Sequence, residues 1–143
     1  MLYIGKRKVR KMIKWPITYT DYNGDTQTEE IYFNINKAEV LELNLSANGA
    51  YGEYLQRIVN LRDGAKIASE FKKIILMAYG EKSADGRRFI KSQDMRDAFE
   101  QSEAYSELYV QLATDPAAAE KFIKGVLPAE STGAPVPAEL KKA

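Results

Sequence analysis

Apolar and polar residues alternate along the first part of the chain, and the period then lengthens. Ile13, Trp15, Ile17 and Tyr19 alternate with polar residues, as do Ile31, Phe33 and Ile35. A period of two belongs to strands with one buried face. Asn23-Gly24 lies between the two runs and marks a turn, so residues 12–35 are expected to form a β-hairpin. The apolar rows select its register. A two-residue Asn-Gly loop sets Ile17 opposite Glu30 and turns the rows to opposite faces. A three-residue loop, Tyr22-Asn23-Gly24 with Gly24 left-handed, pairs Trp15 with Ile31 and Ile13 with Phe33, which puts both rows on one face. The second register is the expected one. Pro16 cannot donate to a ladder, so the first strand should be an edge or should bulge there.

From residue 36 the period is helical. Asn36 can cap a helix with Glu39 reaching back to it, and the helix runs through Val40, Leu41 and Leu43 until Ser46-Ala-Asn-Gly49 breaks it. A second helix spans Tyr51 to Leu61, with Asp63-Gly64 as a left-handed stop. The third, Ala65 to Tyr79, carries Ile67, Phe71, Ile74, Ile75 and Ala78 on one face. Leu76 and Met77 widen that face, so this is the expected central helix, closed by Gly80. Residues 81–90 read as a loop or a small two-stranded excursion with Asp85-Gly86 at its tip. Ser92 can cap a fourth helix with Met95, Ala98 and Phe99 inward. Ser102 restarts or continues that helix, and Tyr105, Leu108, Tyr109 and Leu112 follow at i, i+3, i+4 and i+7. Asp115-Pro116 opens a last helix lined by Ala119, Phe122, Ile123 and Val126. The fold class is α+β, mainly α. An N-terminal β-hairpin precedes a compact bundle of about five to six short helices (36–127), forming one domain over residues 12–127. Residues 1–11 form a basic N-terminal arm, and residues 128–143, with three prolines and no aromatic, read as a disordered tail.

Composition narrows the chemistry. The 143 residues include no cysteine and no histidine, which removes disulfides, thiolate nucleophiles, the commonest general base and the commonest metal ligand. No apolar run approaches the roughly 20 residues that span a bilayer. The N-terminus lacks the apolar region of a signal peptide, and the expected location is cytoplasmic. Charge is uneven: Lys6, Arg7, Lys8, Arg10, Lys11 and Lys14 give the first fourteen residues +6, leaving −5 on the rest of a chain of net +1. Such an arm could meet nucleic acid, but a nucleic-acid binder usually carries its excess charge on the folded domain too. A solvated edge strand, or an arm lying on the protein's own acidic helices, explains it as well.

Candidate sites dissolve on inspection. Asp21-x-Asn23-x-Asp25 opens like a calcium loop, but its sixth position is Thr26 and its twelfth Tyr32, where glycine and glutamate are required. Around Gly80 the order Ala-Tyr-Gly-Glu-Lys-Ser lacks the pattern of a phosphate loop. Asp94, Asp97, Glu100, Glu103 and Glu107 fall at three- and four-residue spacing opposite the apolar stripe, as on a solvated face that could accept a basic partner. No catalytic residue, metal ligand or cofactor is assigned.

Six pieces in order do carry a resemblance. They are Ile17-Thr-Tyr-Thr-Asp-Tyr-Asn-Gly24, Tyr32-Phe-Asn-Ile-Asn-Lys-Ala-Glu39, Leu76-Met-Ala-Tyr-Gly-Glu-Lys-Ser83, Asp85-Gly-Arg-Arg-Phe-Ile-Lys-Ser92, Glu103-Ala-Tyr-Ser-Glu-Leu108 and Leu112-Ala-Thr-Asp115. Through them the chain resembles the tail assembly chaperones of long-tailed bacteriophages and prophages. It departs from them in its long basic start and in Met95-Arg-Asp-Ala98. The resemblance implies a non-enzymatic assembly factor in the host cytoplasm, absent from the mature virion. Its implied partners are the tape measure protein, the tail tube protein, a longer frameshifted form of itself, for which Lys141-Lys142 could mark an A-rich slippery site, and further copies of the chain; no membrane is implied. Its partner surface is expected on the helical half after residue 80, at exposed members of Phe99, Tyr105 and Tyr109 with Glu103 and Glu107; the blander reading makes these aromatics core. Two other classes stay open: a tail terminator or connector retained in the virion, and a small nucleic-acid-binding regulator using the basic N-terminus.

Overall fold

The computed structural model describes residues 12–127. The basic arm at 1–11 and the tail at 128–143 lie outside the described residues. Strands β1 (Ile13–Thr20) and β2 (Thr26–Phe33) form the hairpin. Six helices follow among the described residues: α1 (Lys37–Ala47), α2 (Tyr51–Asn60), α3 (Gly64–Ala78), α4 (Gln93–Glu100), α5 (Glu103–Thr114) and α6 (Pro116–Val126). Two short strands, β3 (Glu81–Lys82) and β4 (Phe89–Ile90), separate α3 from α4.

The hairpin takes the register its apolar rows demand: Ile13 faces Phe33 and Trp15 faces Ile31. The Asp21 N–H donates to the Asp25 carbonyl at 2.8 Å, so the loop is Tyr22-Asn23-Gly24, and Gly24 turns it with φ +88°. Ladder bonds alternate between residue pairs in an antiparallel ribbon. Counting from Asp21–Asp25, the pair Pro16–Glu30 exchanges none, so the missing N–H of Pro16 costs no ladder bond and needs no bulge.

Local signals set most helix starts. Asn36 and Glu39 form a full capping box, and the same Glu39 carboxylate holds the Lys91 ammonium at 2.8 and 2.9 Å. That pair ties the chain after β4 to the start of α1. Ser92, Ser102 and Asp115 cap α4, α5 and α6, and Pro116 occupies the first turn of α6, where a missing N–H is harmless.

Three expectations need correction. Asp63-Gly64 does not end α2; Arg62 takes the left-handed conformation at φ 55°, and Asp63 caps α3 through the Lys66 N–H. Gly80 is not the stop of α3, which ends at Ala78 with Tyr79 extended; its role is spatial, because a Cβ there would lie 2.6 Å from the Ile90 carbonyl oxygen and from the Phe89 ring. Ala98 faces solvent, while Phe99 turns in.

The core lies where the hairpin meets the helices. Phe33 is fully buried and meets Tyr79, Phe99 and Phe122 edge to face at 6.2, 6.0 and 5.3 Å. Trp15 meets Phe122 at 5.5 Å and donates its Nε1–H to Gln111 Oε1 on α5. The α3 face of Phe71, Ile74, Ile75 and Ala78 is fully buried, as a central helix requires. The end of β2 is sewn to the end of α3. Phe33 bridges Tyr79, the Asn34 N–H donates to the Ala78 carbonyl at 2.9 Å, and the Gly80 N–H points at the Tyr32 carbonyl at 3.4 Å.

Candidate partner-binding surface

Phe99 and Tyr105 are inside the fold, 5% and 9% exposed. Tyr79, Phe99, Tyr105 and Tyr109 form one column of rings: Tyr79 stacks on Phe99, Tyr105 meets Phe99 edge-on, and Tyr109 stacks on Tyr105. Tyr109 is half-buried, and its hydroxyl donates to the Ala68 carbonyl on α3 at 2.8 Å. These rings bind α4 and α5 to α3. Helical periodicity foretold their shared stripe; it could not say that α3 would cover it.

The two carboxylates behave differently. Glu107 is exposed, and Glu103 accepts the Tyr22 hydroxyl at 2.7 Å. Glu103, Glu107 and Val110 follow at i, i+4 and i+7, so they share one face of α5. Val110 is 55% and Tyr22 77% exposed. A strip of mixed acidic and apolar character therefore runs from the hairpin tip along α5. Sequence reasoning missed Tyr22 and Val110; the signal was an apolar residue standing off the buried stripe of its helix, and a tyrosine inside a turn.

Glu100, Asp97 and Asp21 are committed locally. Glu100 pairs with Lys72 at 3.3 Å in the open, where an ion pair adds little. Asp97 accepts from the Gln93 side chain. The Asp21 carboxylate accepts from the Gln27 side chain and from the Asp25 and Asn23 N–H groups, and these bonds hold its pKa below the ordinary value. Its acid serves the turn.

A second surface feature was not foreseen. Beyond the Phe33–Tyr79 bridge the chain leaves β2 to pair β3 with β4, and a groove of about 440 Å³ opens between β2 and residues 79–82. Glu29, Glu30, Ile31, Tyr32, Tyr79, Gly80, Glu81 and Lys82 line it. Burial, then the Glu81 and Glu29 carboxylates, push the Tyr79 phenol pKa up. Glu29 also accepts the Tyr19 hydroxyl at 2.6 Å. From Thr26 to Glu30 the outer edge of β2 has no strand beside it among the described residues. No sequence window reveals this groove, because its walls come from segments about fifty positions apart.

Among the described residues no helix is long and apolar enough to cross a membrane. A family model described as phage tail assembly chaperone matches residues 12–134 of the chain. No curated protein and no solved structure matches it.

Proposed function

This chain belongs to the phage tail assembly chaperone family, and we propose that it acts without catalysis, holding the tape measure protein and recruiting tail tube subunits while the tail is built. The strip of Tyr22, Glu103, Glu107 and Val110 carries this reading. There exposed apolar side chains, Val110 and Tyr22, stand beside the Glu103 and Glu107 carboxylates, and the strip fits a client helix that presents apolar and basic residues on one side. Such contacts steer association through charge and hold it through the buried apolar centre. The protein works in the host cytoplasm and leaves before the virion is complete, either as the short chain or with a frameshifted longer form.

The experiment is co-expression with the tape measure protein of the same phage or prophage, followed by pull-down. Wild type should capture the client, and a Glu103→Lys/Glu107→Lys/Val110→Asp variant with an unchanged circular dichroism spectrum should not. Equal capture by both moves the binding surface elsewhere. Mass spectrometry of purified particles should find no copy of the chain; stoichiometric copies would make it a structural tail component.

A further inference from the structure

We propose that the basic N-terminal arm, residues 1–11, docks in the acidic groove beside β2 of the same molecule. Four observations lead there. First, the described chain begins close to the groove: Lys14 stands across the ladder from Tyr32, its ammonium 6.0 Å from the ring centroid, and Tyr32 lines the groove. Met12 shares a small cleft of about 120 Å³ with Lys82 and Phe89, and Lys82 belongs to both spaces. Second, reach is sufficient. Eleven extended residues span at most roughly 40 Å, whereas the eight residues of β2 need roughly 26 Å.

Third, the charges match. The arm holds Lys6, Arg7, Lys8, Arg10 and Lys11 and no acid, and the groove presents Glu29, Glu30 and Glu81 against one cation, Lys82. In an extended chain Lys6, Lys8 and Arg10 share one side. Arg87 and Arg88, which flank Met12 in the small cleft, repel a basic arm from the other direction. Fourth, the backbone is available. By the alternation of the hairpin ladder, Thr28 and Glu30 point their N–H and C=O groups outward, along an edge with no neighbouring strand among the described residues. An arm lying there satisfies these groups and shields an edge that other chains could otherwise pair with.

The test uses the full chain with a nitroxide on Gly5→Cys, which keeps all five cations and supplies the sole cysteine. Amide signals of Thr28–Tyr32 and of Glu81 and Lys82 should be lost at low salt and return in 1 M salt, where the Debye length falls to roughly 3 Å. They should also return in a Glu30→Lys/Glu81→Lys background whose remaining amide spectrum is unchanged. Broadening spread evenly over the surface, or confined to the α5 strip, overturns the proposal. So does broadening in a mixed sample in which the nitroxide and the observed nuclei sit on different molecules, because the occupant is then another copy.

Discussion

Tyr79 and Phe99 lie face to face, their ring centroids 4.2 Å apart and their planes 7° from parallel. Tyr79 is the extended residue that ends α3, and Phe99 sits in the last turn of α4. The stack fixes the joint between the two helices, with Phe33 edge-on to both rings. Phe99→Ala should cost about 3–5 kcal/mol, because it loses the ring's burial and leaves a cavity that the neighbouring rings cannot fill. Urea unfolding should show an earlier midpoint at unchanged slope. A loss under about 1 kcal/mol would mean that the joint does not depend on the stack.

Gly80 tests space rather than conformation. A methyl group there meets the Ile90 carbonyl and the Phe89 ring, both at 2.6 Å. The ring can tilt, but the carbonyl belongs to the β3–β4 pair. Gly80→Ala should cost about 1–3 kcal/mol in the same unfolding experiment. At Gly64, where nothing lies within 4 Å of the added carbon, the same change should be neutral or slightly stabilising.

Alkaline stability follows from the tyrosines. The bond to Glu29, reinforced by burial, pushes Tyr19 up to about 12 from 10.0, and burial followed by the nearby Glu100 charge does the same for Tyr105. Tyr51 is raised further, by burial and by its bond to Glu70. Between pH 10 and 12 the folded chain therefore keeps protons that the unfolded chain has released, so unfolding releases protons and stability falls as pH rises through that window. The stabilisation is fully present below pH 10. Tyrosinate absorbance and far-ultraviolet circular dichroism should change together above it. Full tyrosine titration near pH 10 with the helical signal intact would contradict the shifts.

Tyr109 and Glu107 should separate folding from capture. Tyr109→Phe removes one hydroxyl and leaves the Ala68 carbonyl without that partner, at a cost of about 1 kcal/mol. Client capture should not change. Glu107→Lys should leave the melting temperature within a degree or two, since surface substitutions usually stay within about 0.5 kcal/mol, and should weaken capture. The reverse pattern would place the client on the aromatic column.

How much of this was legible depends on whether a feature is local. The hairpin register followed from two alternating rows and one Asn-Gly, and the structure has it. The caps at Asn36, Ser92 and Asp115 are spelled within four residues each, whereas Ser102 fitted a break or a continuation equally well until the structure showed it capping α5. Asp63-Gly64 misled because aspartate caps a start as readily as glycine marks a stop, and Arg62 takes the left-handed turn that glycine usually provides. Phe99 and Tyr105 could be placed on a stripe but not under α3, since covering is a tertiary event. The β2 groove depends on a bridge between Phe33 and Tyr79 and was invisible for the same reason.

The pairing of the hairpin with the last two helices also sets an order of events during synthesis. Trp15 reaches Gln111, ninety-six positions later, and rests against Phe122 on α6. The hairpin is made first, yet its apolar face stays uncovered until nearly the whole domain has left the ribosome. A stalled or truncated chain would hold that face open, so a member of a chaperone family would need shelter itself until α6 emerges.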